Sequence, residues 1–423
     1  MGQGEKEYMN PAEVFISKLC EKTFLSLWSY PNPKRTLDPN DKDKELCDII
    51  VVCEPDVIIF SVKEIKVTEH KEAEVGEERW RRKAIGESFK QIYGAERYIN
   101  NSDMKNVITK DGETGLPLPG PSVRKIHRVA VALGSGGKIE YLSENFGKGY
   151  VHIFDDSSIE TIMTELDTIS DFVKFLDDTE GYYEGKTERS IVCEGSMKDV
   201  LAFYLKNGRK YLDEETASKY DWVMVHINEG LWDELTSYPE YLAKKKEDEQ
   251  SYGWDFLIEK AYDLFKSGAF EGDDSIVEFE QALRVMALEN RFSRRILQKG
   301  IDDFINQDLR GRYMKSLSGV SYALMLLHQG DDPQEKQLEL YTRCLITREI
   351  YPENPTVIGI AFGKSYDKKS IVLCGLRYYH QEVLTEQEKE IIKIAKESGC
   401  IDILRRTHFS EDEYPKTENN PKS

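Results

Sequence analysis

The chain has 423 residues, 39% of them hydrophobic and 11% aromatic, enough to bury a substantial core and more than a disordered chain carries. Its formal net charge of −19 opposes extended, sequence-independent binding along nucleic acid, which needs a surplus of cations, yet leaves room for a local basic groove. Seven scattered cysteines without a Cys-x-x-Cys pair, a polar N-terminus whose Lys6 spoils an acylation signal, and the lack of a long apolar run predict a cytoplasmic protein with buried thiols and no membrane partner.

Asn10 followed by Pro11 predicts a helix from Pro11 to about Phe24. Val14, Phe15, Ile16, Leu19, Cys20 and Phe24 cover most of its circumference, and Glu13 projects at the edge of that sector. A short strand near Ser26 to Tyr30 ends at Pro31 and Pro33. Two β-branched runs, Cys47–Cys53 and Val57–Val62, flank Glu54-Pro55-Asp56 and predict an antiparallel hairpin. With the turn at Glu54 to Val57, Cys53 faces Ile58 and Asp48 faces Lys63. Strand alternation then puts Asp48, Ser61 and Lys63 on one side. A carboxylate and an ammonium are costly at the end of so apolar a hairpin unless they have a task.

A long helix follows, about Glu74 to Asn100, with Trp80, Ala84, Ile92, Ala95 and Ile99 on one stripe and Gln91 at its margin. The prolines at 117, 119 and 121 predict an irregular loop over 101–122. Val123 to Gly134 reads as a buried strand, Val151 to Asp156 as another, and Ser157 to Glu180 as one helix. Interleaved with apolar residues, Asp167 and Asp171 read as that helix's wet side. After a boundary at 180–190 the pattern is mainly helical: near 196–207, 254–267, 274–307 and 309–329. Strands at 355–380 form a terminal hairpin, a helix covers 385–405, and the polar end reads as disordered. The expected division is 1–180, 186–411 and a tail at 412–423. Arg291 to Arg295 and Arg405-Arg406 read as surface.

The order helix, three strands, helix, strand, with Asp48 opening one hairpin strand and Ser61-Val62-Lys63 closing the next, resembles the PD-(D/E)XK nuclease superfamily in its nuclease-related and restriction-endonuclease-like branch. The resemblance covers roughly the first 135 residues. It implies an α/β fold with a mixed, restriction-endonuclease-like sheet, and Mg²⁺- or Mn²⁺-dependent hydrolysis of phosphodiesters, in DNA rather than RNA. The resemblance also implies a bacterial restriction or anti-phage defence effector. It assigns metal ligation to Asp48 and Glu13, with Glu45 in the place of an acid the family often sets a few residues before the Asp. It assigns catalysis to Lys63, Ser61 and Gln91. Ser61 departs from the acidic residue usual there, which favours a catalytically degenerate binding or scaffold protein as the alternative. The shifted Glu64-Ile65-Lys66 restores the formal motif but turns its side chains to the opposite face.

Two basic clusters flank these residues in the chain. Arg79, Arg82 and Lys83 open the long helix, and Arg124 and Arg128 open the next strand; both could line a phosphate channel. The C-terminal region is left for regulation, a homo-oligomer or a defence-complex partner. The glycines after Leu133 form neither a P-loop nor a dinucleotide fingerprint, and the dispersed histidines lack a zinc-hydrolase motif.

Overall fold

In the computed structural model the residues described are 10–36, 44–66, 73–135, 143–145, 148–184, 188–213, 215, 218–268, 276–364, 371–398 and 411–415. Arg405 and Arg406, and the end of the helix expected to reach 405, lie outside them. The chain forms two compact units, Met1–Tyr238 and Pro239–Ser423. It is mixed α/β, and among the described residues no helix is long and apolar enough to cross a membrane.

In the first unit, α1 (Pro11–Phe24) starts in a capping box: the Asn10 side chain accepts from the Glu13 amide and the Glu13 carboxylate turns back to Asn10. Its buried face is Ile16, Leu19, Cys20 and Phe24, whereas Val14 and Phe15 are exposed, a narrower apolar sector than the sequence suggests. Then come β1 (Ser29–Pro31), β2 (Ile49–Cys53) and β3 (Asp56–Glu64), each antiparallel to the one before. Helix α2 (Ala73–Trp80) runs through a π-helical turn, Arg81–Ile85, into α3 (Gly86–Asn101). A small hairpin, β4 (Asn106–Ile108) and β5 (Thr114–Pro117), occupies the proline-rich loop. Strands β6 (Lys125–Leu133) and β8 (Tyr150–Asp155) continue parallel to β3, and β7 (Ser143–Asn145) closes the edge, giving the order β1-β2-β3-β6-β8-β7.

The central strands are buried on both faces, which is why they read as continuous apolar runs. One face packs Ile50, Val52, Val57, Ile59, Ala130 and Ala132 against Trp80, Phe89, Ile92 and Ala95 of α2–α3. On the other, Phe60 meets Phe24 of α1 at 6.1 Å and Phe172 of α5 (Ile169–Tyr183) at 6.4 Å between ring centroids.

The hairpin register differs from expectation by two residues. Cys53 pairs with Asp56 and Ile49 with Phe60, so Asp48 comes opposite Ser61 and not Lys63. The turn is only Glu54-Pro55. An even slip keeps every side chain on its face, so Asp48, Ser61 and Lys63 still share the α3 side.

The single helix expected over 157–180 is two, α4 (Ile159–Glu165) and α5, because Thr168 leaves the helical conformation and caps α5 through the Asp171 amide. Asp167 and Asp171 are therefore buried rather than wet, and Asp171 pairs with Arg209 at 2.5 Å. The first unit also runs past the expected 180–190 boundary. Tyr204, on α6 (Met197–Lys206), stacks edge-on to Phe175 at 5.3 Å and donates to Asp178 at 2.6 Å, tying residues 188–238 to α5. β9 (Glu188–Cys193) and β10 (Trp222–Ile227) form a separate parallel pair in that stretch.

The second unit has a four-stranded sheet in the order β11-β12-β13-β14. β11 (Gly311–Lys315) and β12 (Val320–Leu327) occupy the stretch expected to be a helix at 309–329. Ser321 to Leu326 are all buried, and such a run carries no period that separates strand from helix. β12 runs parallel to β13 (Thr356–Lys364) across the helix Pro333–Ile350, and β14 (Ile371–His380) returns antiparallel. The helix expected over 274–307 is broken before Asn290, which caps Arg291–Asn306. Arg291, Arg294 and Arg295 are buried, contrary to their surface reading. Arg291 and Arg294 share Asp255 at 2.9 and 2.5 Å, and Arg295 meets Asp248 at 3.0 Å.

Candidate functional site

Asp48 stands immediately before β2 with a side chain only 4% exposed. A carboxylate so far from water must find donors in the protein. Its Oδ2 accepts from the Val62 amide at 2.5 Å and from Lys63 Nζ at 3.3 Å, and its Oδ1 accepts from Gln91 Nε2 at 2.6 Å. The Ser61 hydroxyl lies 3.4 Å from Oδ2 but 2.6 Å from Gln91 Oε1. With one proton to give, it donates along the shorter contact. That bond also fixes the Gln91 amide, whose nitrogen must then face Asp48. Ser61, Gln91 and Asp48 form a polar chain between β3, α3 and the start of β2, and Lys63 leaves it toward solvent with its side chain 29% exposed.

Glu13 approaches from α1. Its carboxyl is half-buried and bonded to Asn10 at the amide (3.4 Å) and at the side-chain nitrogen. Burial raises its pKa, and the negative charge of Asp48 raises it further; the Asn10 amide and Lys63 pull the other way, and Glu45 adds to the rise. Glu13, Glu45, Asp48 and Lys63 therefore share one electrostatic neighbourhood. Glu45 is exposed and accepts from Asn32 Nδ2 at 3.0 Å. Glu64 sits exposed at the end of β3, out of phase with Ser61 and Lys63.

Arg124 and Arg128 do not join this group. Lys125 pairs with Asp56 and Ala132 with Lys63, so Arg124 lies roughly 20 Å or more along the strand from Lys63, at about 3.3 Å per residue. Its guanidinium is spent on the carbonyls of Pro119 and Ile99. Arg128 makes a two-pronged pair with Glu96 at 2.7 and 2.6 Å and is mostly buried. Arg124 ties the start of β6 to the end of α3, and Arg128 ties the middle of β6 to Glu96 of the same helix. Arg79, Arg82 and Lys83 are exposed on α2 and the π-helical turn. Arg82 and Lys83 stand one turn before Glu87, which the sequence reading missed. Glu87 is exposed, lies one turn before Gln91, and is held below the ordinary carboxylate range by Lys90, with a smaller pull from Lys63. The i,i+4 spacing of Glu87 and Gln91 was the available signal.

Among the described residues no group of three or more His, Cys, Asp or Glu side chains is disposed to hold a metal ion. A cation at this site would rest on Asp48 and Glu13, and the donor set suits it. Carboxylates and a hydroxyl are hard oxygen ligands of the kind Mg²⁺ and Mn²⁺ take, Mg²⁺ keeping several waters of its own. Two acids whose charges oppose each other also gain from a cation between them. A polar cavity of about 420 Å³ lined by Gln250, Lys299, Asp302, Asp303, Ile305 and Asn306 belongs to the second unit and includes none of these residues.

No model of a known protein family, no curated protein and no solved structure matches the chain.

Proposed function

We propose that the first unit is a divalent-metal-dependent phosphodiesterase acting on nucleic acid, DNA in preference to RNA, on a restriction-endonuclease-like core of the PD-(D/E)XK type. The succession α1, antiparallel β1-β2-β3, α2–α3, parallel β6 supports that core. The observation that carries the reading is Lys63 Nζ at 3.3 Å from a nearly buried Asp48, with Gln91 bonded behind it. Asp48 and Glu13 would hold the cation, which supplies charge stabilisation at phosphorus and a more acidic bound water. Val62 N–H and Gln91 orient the Asp48 carboxylate. Lys63 is the group able to reach outward, orienting the attacking water or meeting charge that develops on the phosphoryl oxygens. Ser61 gives its proton to Gln91 and offers only lone pairs to the site, so it positions water rather than replacing the absent acid. A role in restriction or anti-phage defence follows from the resemblance alone.

The test is plasmid cleavage in Mg²⁺ or Mn²⁺ by the chain, by Asp48→Ala and by Lys63→Ala. Cleavage that falls by about 10²-fold or more in both variants is expected; equal cleavage by all three defeats the proposal. One observation favours a second reading, a non-catalytic binding protein. The Asp48 network is satisfied by the protein's own donors, as a purely structural cluster would be. On that reading the unaltered chain does not cleave, and Ser61→Glu, restoring the acid, is the variant in which activity emerges.

A further inference from the structure

The C-terminal end, expected to be free, is bound at residues 411–415. These residues lie half-buried to exposed on the helices Pro239–Asp248 and Arg291–Asn306, a peptide on the surface rather than part of the core. Lys299 Nζ donates to both carboxylate oxygens of Glu411 at 2.9 Å. Arg295, whose side chain is fully buried, extends Nη2 to the main-chain carbonyls of Asp412 at 2.9 Å and Glu413 at 3.3 Å, with Nε 3.6 Å from Glu411. The Lys244 ammonium stands 5.9 Å from the centre of the Tyr414 ring.

The cations are held ready by the unit itself. Asp248 binds Lys244 at 2.6 Å and Arg295 at 3.0 Å from the inner side, and Glu247 meets Lys299 at 2.7 Å. Side chains fixed in this way lose little freedom when a peptide arrives. The contacts read a definite pattern: an acid at one position, two main-chain carbonyls, and an aromatic ring three residues after the acid. Recognition of acidic segments by clustered cations with main-chain bonds is a recurrent mode of peptide binding.

We infer that Lys244, Arg295 and Lys299 form a receptor for acidic peptides, in which Glu411–Tyr414 is a tethered occupant. A partner polypeptide carrying a carboxylate and, three residues on, an aromatic ring takes the same place. The tether keeps the chain's own segment at high effective concentration, so an incoming partner must displace it.

The test uses the chain ending at residue 410 and a fluorescent peptide of residues 409–418, followed by anisotropy. Saturable binding is expected to the shortened chain, weaker by about tenfold or more with a Glu411→Lys peptide or on a Lys299→Glu chain, and much weaker on the full chain. The inference is overturned if the shortened chain keeps its thermal transition but does not bind, if Glu411→Lys binds equally well, or if the full chain binds as tightly as the shortened one. Should the shortened chain fail to fold, a full chain carrying Glu411→Lys loosens the tether and is expected to bind the unaltered peptide. Absence of binding there also overturns it.

Discussion

Asp48 shows how a single charge organises its surroundings. Donors reach it from the backbone of β3, from Lys63 and from α3, and a buried acceptor that loses one of them keeps its desolvation cost. Gln91→Leu is therefore expected to destabilise the chain by about 1–3 kcal/mol, read as a lower urea midpoint with an unchanged slope. His152 makes the opposite case. It is buried between Tyr150 and Phe154, neither ring nitrogen has a hydrogen-bond partner, and burial, then the nearby His127 and Arg128, push its pKa down to about 3. The folded value lies below the unfolded one, near 6.5, so the unfolded chain takes up the proton first and stability falls as pH drops from 6.5 toward 3. Between pH 7 and pH 5 the loss from this one residue is about 2 kcal/mol. Urea unfolding of His152→Phe at the two pH values checks it, since the variant should lose that share of the pH dependence.

At the scale of elements, caps and pairings decide what the periodicity of side chains leaves open. Thr168 divides α4 from α5 by bonding the Asp171 amide and carboxylate. Replacing it with Ala is expected to cost about 1 kcal/mol, visible in thermal unfolding, and to loosen Asp171 from Arg209. The same contrast separates the two basic clusters. Arg128 is locked to Glu96 across β6 and α3, whereas Arg82 and Lys83 stand free on the π-helical turn above Glu87. Arg82→Glu with Lys83→Glu should weaken DNA binding and reduce the slope of log affinity against log salt by about one for each lost phosphate contact. Arg128→Ala should leave that slope unchanged while lowering the melting temperature. A titration of binding at several salt concentrations distinguishes them.

At the scale of the whole molecule the proposed metal site has a consequence for stability. A ligand that binds only the folded chain stabilises it by about 2.7 kcal/mol at one hundred times its dissociation constant. Mg²⁺ or Mn²⁺ should therefore raise the melting temperature of the unaltered protein and leave that of Asp48→Ala unmoved. The units limit where the effect is felt: Asp48, Glu13 and Lys63 all belong to Met1–Tyr238.

What the sequence determined by itself was the part governed by short-range chemistry. The β-branched runs Cys47–Cys53 and Val57–Val62 about Glu54-Pro55-Asp56 identified the hairpin, the two-residue period of a strand gave the face shared by Asp48, Ser61 and Lys63, and Asn10-Pro11 located the start of α1. The exact pairing was not legible, because a turn of two residues or four fits the same alternation. Only the tertiary structure decided which charges would be buried. Arg295 reads as surface until Asp248 and the distant residues 411–413 are brought to it, and Arg128 shows no partner until α3 supplies Glu96. A charge leaves water only when partners remote in the chain arrive to replace it, and a local pattern carries no record of those partners.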